Sequence, residues 1–176
     1  MRGKERPTAC LSFKRLDATL PARLIRASDS GARVIVMTEA GARIIDVFFY
    51  GLFMDDTLLR DKGINPRNRR TAFVENFALM IGARATLVPC SGRTAHGVVF
   101  SLTHGEVEAL YGEASVNVYR PEAVLAQLAD GSVIPALCFN LPVPPLEEER
   151  NPQYASKLRE LAEKIGLPSG YVSSIE

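Results

Sequence analysis

The chain has 176 residues, 47% of them hydrophobic, which is enough for one domain with its own core. Its formal net charge of +1, with acids and bases interspersed, offers no basic face for a nucleic acid. Three cysteines at wide, unpatterned spacings argue against a disulfide framework or a zinc site and fit a reducing cytoplasm.

No apolar run approaches the roughly 20 residues that cross a bilayer, and the N-terminus lacks the hydrophobic stretch of a secretory signal. The expectation is a cytoplasmic protein with neither a membrane nor a nucleic-acid partner. Residues 1–7 are polar, as in a frayed terminus. Residues 33–38 and 42–47 are β-favouring runs separated by Glu39, Ala40 and Gly41, the pattern of a hairpin. We read 1–45 as an N-terminal extension, packed on the domain or partly disordered, and 46–176 as the domain proper.

The organising stretch comes next. An apolar run from Val47 to Tyr50 stops at Gly51, and a helical pattern begins near Asp55 or Asp56. A strand that enters a helix through a glycine turn aims backbone N–H groups outward and adds the positive end of the helix, which makes a pocket for an anion or a polarised carbonyl. The helix should end at Lys62 and Gly63. Arg67, Arg69 and Arg70, among Asn65, Pro66 and Asn68, read as a solvated loop.

Residues 73–81 read as a strand with Phe77, Leu79 and Ile81 on one face. Residues 85–90 and 96–102 read as two more, joined by a turn at Ser91, Gly92 and Arg93. Thr103 and Glu106 have capping-box spacing ahead of Val107, Leu110 and Tyr111, so a short helix should run from Thr103 to about Gly112. Residues 123–128 and 133–141 flank Asp130 and Gly131, a type I′ hairpin signal. The prolines at 142–145 close that strand. Asn151 and Pro152 then start a C-terminal helix with Tyr154, Leu158, Leu161 and Ile165 at helical spacing, stopped by Gly166 and Pro168.

These elements make an α+β fold: a small, mixed, barrel-like β-sheet flanked by short helices, with a C-terminal helix. His96 and His104 are the only histidines, so no metal site is expected. Ser91 or Ser101 with His96 lacks the nucleophile elbow of a serine hydrolase. No cofactor is called for.

Tyr50, Gly51, Leu52, Phe53 and Met54, followed by Leu58, Leu59, Lys62 and Gly63, resemble the Tyr-Gly-Ser-Leu signature of the gamma-glutamylcyclotransferase-like superfamily. Leu52 stands where the signature has Ser or Thr, and Phe53 takes the fourth place. The resemblance runs from Val47 to about Ile175 and takes in Asn151, Pro152, Gln153 and Tyr154, then Gly166, Leu167, Pro168 and Tyr171. It implies a small mixed barrel flanked by helices and a cofactor-independent cyclisation of a γ-glutamyl amine or peptide to 5-oxoproline and the free amine.

The same resemblance makes Glu113, six residues before Tyr119 and Arg120, the general acid/base. It makes Tyr50, Gly51, Leu52, Phe53, Tyr119 and Tyr171 substrate-binding residues in a monomer or homodimer. A shuttling carboxyl works best partly buried and away from a close cation, so Glu113 should sit in an apolar-walled pocket with Arg120 turned away. The other reading is a non-catalytic small-molecule-binding protein of the same fold, which Leu52 and the altered neighbours of Glu113 would permit.

Overall fold

The computed structural model describes residues 42–146 and 148–176. The reading of residues 1–41, with the first arm of the expected hairpin, lies outside the described residues. Strand β1 (Ile44–Phe49) is the apolar run of the sequence, and Val47, Phe48 and Phe49 are all buried, as in a strand covered on both faces. Ile44 and Ile45, assigned above to the extension, are its first residues.

Two long strands follow, β2 (Arg67–Ile81) and β3 (Ala85–Thr103), paired antiparallel along most of their length. This corrects two expectations. Arg67, Arg69 and Arg70 lie in a strand, where Arg67 pairs with Glu106 at 2.9 Å and Arg70 with Asp46 at 2.5 Å. Residues 91–93 do not end a strand either; β3 continues through them.

The reason is a bulge. Asn76 adopts φ of 61° and accepts the Gly92 N–H at 3.1 Å, while Gly92 itself takes φ of 74°. The pairing shifts register there, between Glu75 and Phe77, and continues. Before the bulge Ala72 and Val74 are buried; beyond it Phe77, Leu79 and Ile81 pack on the core. The imperfect alternation of the sequence is this change of face.

Strands β4 (Arg120–Leu128) and β5 (Val133–Asn140) form the expected hairpin. Its turn is not type I′. The Gly131 N–H reaches the Leu128 carbonyl at 3.0 Å, and Gly131, not Asp130, has positive φ, at 84°. That is a turn followed by a glycine in the left-handed region, the common three-residue alternative. The sheet closes in the order β1-β3-β2-β4-β5, and the closing pair, β5 with β1, is parallel, with Val47 opposite Leu137 and Phe48 opposite Cys138.

Helix α1 (Asp56–Asp61) is capped by Asp55, whose carboxylate accepts the Thr57 N–H at 3.0 Å; the hydrogen bond from the Thr57 hydroxyl is the main reason its carboxyl lies below the usual range. It ends on Gly63 at φ of 76°, with Gly63 N–H to Arg60 and Ile64 N–H to Leu59, a complete Schellman motif. Helix α2 (His104–Gly112) carries the expected capping box between Thr103 and Glu106. Helix α3 (Pro152–Lys164) starts on Asn151 and buries Ala155, Leu158, Leu161 and Ala162 against the barrel core. It stops at Gly166 with a second Schellman pair, and a short helix, α4 (Ser169–Ser173), follows unannounced by the sequence.

Two positions should be sensitive. Glu106 accepts from Thr103 N–H, Asn65 N–H and the Arg67 guanidinium. Burial pulls its carboxyl upward, but these bonds outweigh that and hold it below the ordinary 4.5. Its contribution is therefore complete above pH 4.5 and is lost as pH falls through the depressed folded value. Glu106→Ala should cost about 2 to 3 kcal/mol in urea denaturation at pH 7, and the gap from wild type should shrink at about pH 3. At Gly97 an added Cβ would run into the Phe49 carbonyl oxygen and lie 2.8 Å from the Phe48 ring. Gly97→Ala should lower the melting temperature far more than Gly105→Ala, where nothing lies within 4 Å.

Candidate active site

The end of β1 runs into Tyr50 and Gly51, and residues Leu52–Met54 form a single 3-10 turn before Asp55 starts α1. Gly51 and Leu52 carbonyls accept from Met54 and Asp55 N–H groups at 3.0 and 3.1 Å. None of the described backbone turn and loop bonds takes up the N–H groups of Gly51 or Phe53, and the Leu52 N–H faces the Tyr154 hydroxyl. The conformation of Gly51 is extended, so glycine is not needed there for its torsions. It is needed for space, because a Cβ would lie 2.7 Å from the Tyr154 hydroxyl.

This turn forms part of the wall of a cavity of about 480 Å³. The cavity takes Tyr50, Gly51, Leu52, Phe53 and Tyr119 from the predicted site. Its walls are largely aromatic, including Tyr111, which stacks on Phe139 with ring centroids 3.5 Å apart and an interplanar angle of 8°. Two tyrosine hydroxyls are spent on backbone: Tyr50 donates to the Phe139 carbonyl and Tyr119 to the Ala85 carbonyl, both at 2.7 Å. Burial raises Tyr50 and Tyr111 well above the usual phenol value and Tyr119 to about 12, so all three remain neutral near neutral pH.

The sequence alone places Tyr154 in the apolar stripe of a helix. Its place in the fold is at the turn, where its hydroxyl lies against Gly51 and faces the Leu52 N–H, and burial raises its phenol above the usual value. The signal that could have found it is its place in the family-like run Asn151, Pro152, Gln153 and Tyr154. Tyr171 is elsewhere. Its ring packs on His96 at 4.9 Å, His96 packs on Phe73 at 5.5 Å, and Tyr171 is not among the residues that line the cavity.

Glu113 caps the C-terminus of α2, where its carbonyl accepts from Val116 and Asn117 and fixes the turn into β4. Arg120 is turned away from it, with its guanidinium on the Asn117 and Tyr119 carbonyls. A different cation engages the carboxylate. Lys62 at the end of α1 forms an ion pair with Glu113, its ammonium 6.0 Å from the Phe53 ring centroid. Lys62 and Ser115 line the cavity, while Glu113 stands behind them and is not itself a lining residue. The isolated apolar setting expected for Glu113 is thus replaced by a one-to-one charge pair, because the Schellman end of α1 brings Lys62 beside the end of α2.

Among the described residues no group of three His, Cys, Asp or Glu could hold a metal ion, and no helix is long and apolar enough to cross a membrane.

Comparison with known proteins agrees with the signature. No curated protein matches the sequence. The fold matches a solved gamma-glutamyl cyclotransferase at TM-score 0.64 and 19% identity, over 76% of this chain and 89% of that one. It also matches the uncharacterized protein loc79017 from Homo sapiens at 0.62 and 21%, over 76% and 88%. YkqA from Bacillus subtilis matches at 0.61 and 21%, over 74% of this chain and 52% of that one. The family described as gamma-glutamyl cyclotransferase, AIG2-like, matches residues 47–158, a stretch that holds the second half of β1, the Gly51 turn, Lys62, Glu113 and Tyr154, and the chain belongs to that family.

Proposed function

We propose that the chain is a cofactor-independent cyclotransferase that converts a γ-glutamyl amine or peptide to 5-oxoproline and the free amine, carried by residues 46–176 and acting in a reducing cytoplasm. The observation that carries this reading is a cavity walled by the Gly51 turn, whose Gly51 and Phe53 N–H groups no backbone turn bond takes up, with Lys62 in its wall and Glu113 paired to Lys62 behind it. Turn, cavity and carboxylate are the three parts the chemistry needs, and family membership supports their joint use.

In this reading Glu113 takes a proton from the α-ammonium of the substrate. The freed amine attacks its own γ-carbonyl carbon, a new C–N bond closes the five-membered ring, the bond to the departing amine breaks as Glu113 returns the proton to it, and the ring nitrogen gives up its second proton to the released amine, which leaves as its ammonium. Nucleophile and electrophile belong to one molecule, so the protein's main task is to hold the folded conformer. The N–H groups of Gly51 and Phe53 stabilise the substrate carboxylate or the developing oxyanion, while the Leu52 N–H faces the Tyr154 hydroxyl and holds the turn in place. Tyr119 lends its ring to the wall, and Tyr171 acts from a distance by docking α4.

The reading of a non-catalytic binding protein has one specific observation in its favour: Lys62 occupies the carboxylate that would have to accept the proton. Loss of a shuttling acid typically costs about 10² to 10⁴ in rate. Glu113→Gln should therefore abolish measurable 5-oxoproline release while circular dichroism and ligand binding stay near wild type. Full turnover in that variant would move the base elsewhere, and a wild type silent toward every γ-glutamyl compound would leave the binding reading. Leu52 narrows the site, so Leu52→Ser should admit a wider γ-glutamyl panel; an unchanged panel would remove Leu52 as a determinant. Gly51→Ala should push against the Tyr154 hydroxyl and raise KM, read by steady-state kinetics.

A further inference from the structure

The Lys62–Glu113 pair contains a cation whose own role the cyclisation leaves open. Lys62 is the C-cap of α1, a position fixed by the Gly63 Schellman turn, so its placement follows from the backbone and not from chance contact on a loop. Its side chain is 31% exposed and that of Glu113 is 35% exposed. An ion pair as open as this is weak and exchangeable. The other cation in the wall, Arg84, already donates to the Ser115 carbonyl. No carboxylate is among the described residues that line the cavity.

We propose that Lys62 is the residue that reads the α-carboxylate of the substrate, by exchanging its ion pair with Glu113 for one with the ligand. This rests on the cyclotransferase reading and sharpens it. A γ-glutamyl head carries an α-ammonium and an α-carboxylate on the same carbon, and the Glu113–Lys62 pair presents the opposite charges in the opposite order. As Lys62 turns to the carboxylate, Glu113 loses its partner and meets the α-ammonium, which is the group it must deprotonate. While Lys62 holds Glu113 its lone pairs are engaged; substrate binding is what frees them. The N–H groups of the Gly51 turn are then left for the γ-carbonyl oxygen, which decides between the two tasks they could have. The ligand class is accordingly a γ-glutamyl compound with a free α-carboxylate, and compounds with that carboxylate amidated are rejected.

The test compares two γ-glutamyl benzylamides, one with a free α-carboxylate and one with an α-carboxamide. Binding to wild type, Lys62→Met, Lys62→Arg and Arg84→Met is measured by calorimetry, and 5-oxoproline release is followed in parallel. Wild type should prefer the carboxylate compound by about tenfold to a hundredfold, the range of a charged hydrogen bond. Lys62→Met should lose that preference mainly through KM, Lys62→Arg should restore part of it, and Arg84→Met should keep it. A purely structural Lys62 would lower kcat for both compounds and leave the preference intact, which overturns the proposal; so does equal binding of the two compounds by wild type, or loss of preference in Arg84→Met alone. Calorimetry repeated in the Glu113→Gln background reads the binding preference without turnover, so an inactive wild type would sink the cyclotransferase reading while calorimetry still shows whether Lys62 selects the carboxylate.

Discussion

Closure of the barrel through the parallel pairing of β1 with β5 is the constraint on which the site depends. The pair is short, with Val47 opposite Leu137 and Phe48 opposite Cys138 as its registered partners. Val47, Phe48 and Cys138 are nonetheless fully buried, and burial makes register strict, because a slip of one residue would turn Phe48 and its neighbours to the wrong face. The chain leaves β1 at Phe49 with its direction set, and Tyr50 locks the exit by donating to the Phe139 carbonyl at the end of β5. The Gly51 turn is thus aimed by the barrel and not by its own sequence.

The second constraint is how closely other groups approach at two glycines. Gly97 in β3 lets the strand pass the Phe49 carbonyl, and Gly51 lets the Tyr154 hydroxyl of α3 approach the turn. Both contacts converge on the few residues after β1. Neither glycine has positive φ, so neither is explained by turn propensity. What they supply is the absence of a side chain where another element must sit, and the functional consequence is a turn held from the barrel side and from the helix side at once.

Helix ends bring the charges. Lys62 and Glu113 are C-cap residues of α1 and α2, and each is fixed by backbone hydrogen bonds of its own cap. The pair thus follows from the backbone of two helix ends and not from a chance meeting of surface side chains. The aromatic wall does a complementary task. With the Tyr50 and Tyr119 hydroxyls turned to carbonyls, the rings present mainly apolar surface, and the polar contacts of a ligand are left to the turn and the ion pair.

Much of the fold was legible in the sequence because it is local. The Thr103–Glu106 box, the Asp55 and Asn151 caps, the Gly63 and Gly166 stops and the Asp130–Gly131 hairpin are written within a few residues of each other, and each acts where it is written. The strand-turn-helix around Gly51 and the family signature were legible for the same reason. What the sequence could not decide were distant meetings. Arg67 and Arg70 look like a solvated cluster until β2 brings them to Glu106 and Asp46. Residues 91–93 look like a turn until Asn76, sixteen positions from Gly92, absorbs the irregularity as a bulge. The pairing of Glu113 with Lys62, the move of Tyr154 from helix stripe to cavity wall, and the withdrawal of Tyr171 to His96 all depend on how helices dock on a closed sheet. Periodicity and capping specify each element alone; which side chains meet across elements is set by closure of the barrel, and only the tertiary structure carries that information.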